Sequence, residues 1–236
     1  MKKTKYIEKV HFVIFALLVS LANAQISSGV YLSDEENIRH ELKIDKGYLT
    51  HTIYKTNPAE FVKTLGGFYS ADSEKIKINL EFNSDFGKDS LKVMEIPYSL
   101  NADKIMLQIE KAVTLQKKDA VEQDLDGQWL FATPGPDTGQ ERRGEENPRK
   151  TLKFLLDGRF QWIAYQTETM AFSGTGGGSF TSVDGVYTEN IEFFSRDNNR
   201  VGANLEFNYE IKGDDWHHTG NNSRGEPMYE IWSRRN

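Results

Sequence analysis

The chain has 236 residues, a formal net charge of −6 and no cysteine. It therefore offers no disulfide, no thiolate zinc site and no cysteine-linked lipid anchor. A chain this acidic has no general attraction for nucleic acid or for an anionic membrane surface.

Residues 1–24 read as an export signal. Lys2, Lys3, Lys5 and Lys9 form a basic start, Val10 to Leu21 an apolar stretch, and Ala22-Asn23-Ala24 a small-x-small cleavage site. The expected mature chain begins at Gln25 and is secreted or periplasmic. The apolar run is short for a membrane span, and no later segment is long and apolar enough to be one. Cleavage removes four Lys and one Glu and leaves a net charge of −9.

From Gln25 onward short alternating runs recur between turn residues, the pattern of a mostly β chain. The chain also repeats itself. A gapless shift of 111 superposes Gly47 on Gly158, Tyr54 on Tyr165, Thr56 on Thr167, Phe61 on Phe172 and Thr64 on Thr175. It also superposes Gly66-Gly67 on Gly177-Gly178, Asn79 on Asn190, Glu81 on Glu192, Phe82 on Phe193 and Ser84 on Ser195. These are 11 matches in 38 positions, where composition alone gives roughly two. So long a period means a duplicated domain and not a solenoid. Gly29 to Leu32 matches Gly127 to Leu130 at a shift of 98, and each opens its copy. The expected organisation is one copy over 25–118 and a second over 125–236, joined by a charged connector, 117–124. Pro134 to Pro148 is an insertion in the second copy, rich in Gly, Pro and charge, which reads as a mobile surface loop. The last strand of the first copy, Val113 to Lys118, is set against Tyr229 to Arg234, so that Thr114 answers Glu230 and Gln116 answers Trp232. Close turns such as Asp157-Gly158, Asp184-Gly185 and Lys212-Gly213-Asp214 favour antiparallel neighbours and a barrel over a sandwich.

In the second copy Phe160-Gln161-Trp162-Ile163-Ala164-Tyr165, Gly176-Gly177-Gly178-Ser179-Phe180, Tyr187-Thr188-Glu189-Asn190-Ile191-Glu192-Phe193 and Tyr229-Glu230-Ile231-Trp232 follow one another. This ordered set resembles a bacterial secreted lipocalin-like domain family of unknown function, of the calycin type, over residues 125–235. The resemblance implies an antiparallel barrel with an interior cavity and implies no reaction. The expected fold is thus all-β, with two tandem antiparallel lipocalin-like barrels from an internal duplication. The first copy departs from the pattern: Trp129 and Trp162 become Tyr31 and His51.

Alternation assigns faces. Ile76, Ile78, Leu80 and Phe82 share an apolar face. The repeat then puts Tyr187, Glu189, Ile191 and Phe193 inside the second barrel, with Glu189 where the first copy has Ile78. A carboxylate facing an interior must be paired, hydrogen-bonded or protonated. Glu192 falls on the opposite face, so Glu189 and Glu192 do not form a glycosidase pair. Phe160, Trp162, Tyr187 and Tyr209 are the candidate walls of a pocket. Glu189, with His218 and Glu230, supplies its candidate polar groups. Such aromatic sites with few polar groups suit small molecules, although aromatic residues can equally fill a barrel. Adjacent His217 and His218 point to opposite faces, so a histidine metal site is not expected. The glycines of Phe172 to Phe180 lie between two strand patterns and read as a bulge, not a phosphate loop. Three readings stay open. The first is a binder of a small apolar or amphipathic ligand, without a cofactor. The second is a proton-transfer enzyme, an isomerase or lyase, using Glu189. The third is a structural or protein-binding module with filled barrels.

Overall fold

The computed structural model describes residues 26–222 and 224–235. The expected export signal lies outside the described residues. The first barrel consists of β1 (Gly29–Glu35), β2 (Ile38–Asp45), β3 (Tyr48–Thr56), β4 (Ala59–Ala71), β5 (Lys75–Asn83), β6 (Val93–Asn101), β7 (Lys104–Gln108) and β8 (Ala112–Lys117). The second consists of β9 (Gly127–Pro134), β10 (Arg149–Leu156), β11 (Arg159–Gln166), β12 (Ala171–Val183), β13 (Val186–Phe194), β14 (Asn204–Lys212), β15 (Asp215–Asn221) and β16 (Pro227–Arg234). Each set closes into an antiparallel barrel in which every strand pairs with its sequence neighbours and the last returns to the first.

Both barrels bend at the same place. Each copy has a register shift in its β-bulge, between Gly66 and Gly67 and between Gly177 and Gly178. A Cβ on Gly67 would fall 2.0 Å from the Asn79 carbonyl oxygen, and one on Gly178 1.9 Å from that of Asn190. Only glycine lets the backbones approach so closely there. The entry segments also agree. Trp129 Nε1 donates to the Leu125 carbonyl at 2.9 Å, and Tyr31 Oη donates to the Ser27 carbonyl at 2.8 Å. Each closes the same end of its barrel.

Strand pairing corrects one sequence register. Ile105 opposes Leu115 in the first barrel, and Trp216 opposes Trp232 in the second. Trp232 therefore answers Leu115, not Gln116, and Glu230 answers Val113, not Thr114. The β15–β16 connection is one residue longer than the sequence match assumed, and alternation turns a one-residue slip into a change of face.

The barrels are joined through the faces that carry the repeat. Phe61 and Phe172, equivalent residues, stack on each other with ring centroids 6.2 Å apart. Tyr54 Oη donates to Glu192 at 3.1 Å, while Tyr165 Oη donates to Glu81 at 2.9 Å. Each bond is the image of the other under the 111 shift, so the two copies meet about a pseudo-twofold axis. Gln161 Nε2 donates to both Thr64 and Thr175, again equivalent residues, at 3.1 Å each. Glu192 thus faces out of its own barrel, as alternation requires, and into the interface. Beside it the fully buried Glu41 accepts from Lys43 Nζ at 2.7 Å and from Arg159 at 2.6 Å. Burial raises the Glu41 pKa, but the Arg159 and Lys43 charges outweigh it and bring it to about 2.

The Pro134 to Pro148 insertion is tied down along its length. Arg142 reaches Asp137, Asp215 and Ser233, Arg143 N donates to the Ala132 carbonyl, and Glu145 meets Arg235. Arg142 and Glu145 thus tie it to the barrel wall, which composition alone could not show.

Candidate functional site

In an up-and-down barrel alternate turns lie at opposite ends. The β9–β10, β11–β12, β13–β14 and β15–β16 connections rim one end of the second barrel, and the Leu125 segment closes the other. A pocket of about 270 Å³ opens at the rimmed end. Thr151, Trp162, Phe207, Met228 and Trp232 contribute to its wall, with Lys153, Glu189, His218 and Glu230 as the ionisable groups and Asn222 near the mouth.

The polar groups form two linked pairs. Lys153 Nζ lies 3.0 Å from Glu189 Oε1, and both side chains are more than nine-tenths buried. Tyr187 Oη donates to the same oxygen at 2.7 Å. The Lys153 ammonium also lies 4.9, 4.7 and 5.1 Å from the ring centroids of Tyr187, Trp216 and Trp232, a cation held against aromatic faces. Burial, with Glu189 adding, pushes the Tyr187 phenol well up, so it stays a donor.

In the second pair His218 Nδ1 lies 3.3 Å from Glu230 Oε2, which also accepts from Trp232 Nε1 at 3.0 Å. Burial lowers the His218 pKa to about 4, with the Lys153 charge adding to the effect. Burial raises that of Glu230, but the His218 hydrogen bond and the Lys153 charge outweigh it and hold the carboxyl below its usual range. Near neutral pH the imidazole is therefore uncharged and Glu230 is an anion. A carboxylate only accepts, so Nδ1 carries the proton and Nε2 keeps a bare lone pair. Nε2 is buried without a hydrogen-bond partner among the described residues.

Of the residues selected from sequence, Trp162, Glu189, His218 and Glu230 meet at the pocket. Tyr187 reaches it through Glu189. Phe160 and Tyr209 do not line it. Phe160 is fully buried in the core edge-to-face with Tyr187, and Tyr209 Oη bonds Asp124 toward the closed end. Sequence reasoning missed Lys153. Extending the repeat back across the β10–β11 hairpin would have found it, because Lys153 stands where the first copy has inward-facing Leu42. The signal was masked because Leu152 and Phe154 make the outer face of β10 the apolar one. They pack at the barrel interface, in one cluster with Tyr48 and Phe82.

The first barrel has a wider opening at the same end, about 950 Å³, with Ile38, Ile53, Val62 and Val113 in its wall. His40 lines it too and stacks on His51, with Nδ1 3.2 Å from Nε2. The first copy is thus a closed barrel with an open mouth. No protein-family model and no curated protein matches the chain.

Proposed function

We propose that this is a secreted or periplasmic lipocalin-like protein that binds a small, partly apolar ligand in its second barrel. The observation that carries the reading is the pocket itself: aromatic and thioether walls around a buried, carboxylate-backed imidazole whose Nε2 lacks a partner. An acceptor left unpaired in a protein interior is costly, and a ligand donor would relieve it. The volume is at the small end for ligand sites and suits a molecule of about one ring.

Binding is favoured over proton transfer by the state of each candidate base. Glu189 is committed to Lys153 and Tyr187. His218 titrates near 4, far from the near-neutral value an efficient general base needs. Both groups act here as hydrogen-bond acceptors. The calycin-type identity and export rest on the ordered second-copy motifs and the residue 1–24 pattern.

Native mass spectrometry on protein recovered gently from its own host tests this. The expected result is a mature chain starting at Gln25 with a discrete added mass that is lost on denaturation. A chain that carries no adduct, and whose tryptophan fluorescence answers no small molecule in a broad panel, would sink the binding reading.

A further inference from the structure

The charges around the pocket do not balance. Lys153 and Glu189 offset each other at 3.0 Å. Glu230 has no cation of its own: its two hydrogen-bond donors, His218 Nδ1 and Trp232 Nε1, belong to uncharged groups. The pocket therefore carries one uncompensated negative charge, on a carboxylate that is only partly exposed, where a charge is expected to be paired.

Both carboxylates also have hydrogen-bonding capacity to spare. Glu189 Oε2 and Glu230 Oε1 accept nothing from any described residue, because the bonds to these carboxylates fall on Glu189 Oε1 and Glu230 Oε2. His218 Nε2 is the third unpaired acceptor. The pocket thus presents a spare carboxylate oxygen from each of Glu189 and Glu230, with His218 Nε2 buried and unpaired beside them. The walls are suited to the same kind of guest. Trp162, Phe207 and Trp232 offer ring faces or edges to the space, and Trp232 already holds one ammonium, that of Lys153, 5.1 Å from a ring centroid.

We infer that the ligand is a small protonated amine carried on an apolar or aromatic body. This rests on the binding reading above and deepens it. An ammonium has three N–H donors, enough for both spare carboxylate oxygens, and its charge brings the pocket to neutrality. Its apolar body covers the Trp162 and Met228 walls. A neutral alcohol satisfies an acceptor but leaves Glu230 uncompensated. A carboxylate adds a third anion against a single cation.

The test uses four probes of one shape on the full mature chain at pH 7.5, by titration calorimetry and tryptophan fluorescence. They are 2-phenylethylamine, 2-phenylethanol, 3-phenylpropanoate and ethylbenzene. The amine is expected to bind at least tenfold tighter than the alcohol, with the carboxylate weakest of all. In Glu230→Gln the amine's advantage over the alcohol should shrink to within about threefold. The wild-type comparison needs no variant, so a poorly folding Glu230→Gln does not blunt it. Equal or tighter binding of the alcohol, or of the carboxylate, overturns the amine assignment and leaves the binding reading standing. If none of the four binds, the amine assignment falls, and the native adduct and the broad panel decide the binding reading.

Discussion

The two barrels share a backbone, and at four positions inside it the first is apolar where the second is polar or charged. Where the first has Leu42, Ile78, Leu107 and Val113, the second has Lys153, Glu189, His218 and Glu230. The first set is an ordinary apolar core, each member buried. The second is a hydrogen-bonded, partly charged cluster at equivalent places on the same strands. A fold that tolerates Leu, Ile, Leu and Val there does not require ionisable groups for stability. Replacing a buried ion pair by apolar residues is often neutral or stabilising. The polar cluster is therefore best explained by what it does, and the first barrel is its internal control.

The largest expected effect comes from breaking the cluster unevenly. Glu189→Ile restores one residue of the first barrel but strands the Lys153 ammonium in a site with little water. It should cost about 3–5 kcal/mol. Lys153→Leu with Glu189→Ile recreates the Leu42–Ile78 pair and should recover most or all of that loss. Urea unfolding of the three proteins measures both quantities. A double variant as unstable as the single one would show that the second barrel has come to depend on its charges.

An intermediate effect is expected from pH. His218 titrates near 4 in the folded protein and near 6.5 when unfolded. Between these values the unfolded chain takes up a proton that the folded one refuses. Stability therefore falls as pH falls from 6.5 toward 4, and this residue adds nothing above 6.5. From pH 7 to 5 its share is about 2 kcal/mol. His51, lowered by burial to about 3, and His40, also lowered by burial, act in the same direction from the first barrel, so total stability does not isolate any one of them. His218→Leu, which copies Leu107, should remove about a third to a half of the combined histidine slope. An unchanged slope would mean that His218 is protonated in the fold and is not the neutral acceptor described above.

How much of this was readable from sequence follows from where the duplication is visible. The gapless block 47–84 with its match at 158–195 carries the bulge glycines, the interface tyrosines and glutamates, and the single odd carboxylate, Glu189. Comparing copies across that block revealed the duplication and one correct interior polar group, while the close turns pointed to a barrel. Outside the block the comparison loses register. Lys153 lies just before it, on a strand buried on both sides, where alternation points the wrong way. Glu230 lies after a connection of different length, so its partner residue was misassigned. Phe160 and Tyr209 were assigned to the right face, but a barrel interior has a depth that alternation does not report. Both sit toward the packed end.

Depth also supplies the smallest expected effect. Tyr209 and Tyr98 occupy equivalent positions, and in both barrels the hydroxyl reaches toward the end away from the mouth. Tyr98 Oη donates to the Asp72 carbonyl at 2.7 Å, and Tyr209 Oη donates to Asp124. What the copies share at a position belongs to the fold, and what they do not share is open to function. Tyr209→Phe and Tyr98→Phe should each cost about 1 kcal/mol, the usual worth of one hydrogen bond. Tyr209→Phe should leave ligand affinity unchanged. Tyr187→Phe should behave differently, because its counterpart is Ile76 and its hydroxyl holds Glu189 in place. It should weaken binding while costing about 2 kcal/mol, the upper part of the range reflecting a charged acceptor. Calorimetric titration of the two second-barrel variants separates the roles. A loss of affinity in Tyr209→Phe equal to that in Tyr187→Phe would erase the distinction between shared and divergent positions on which the site assignment stands.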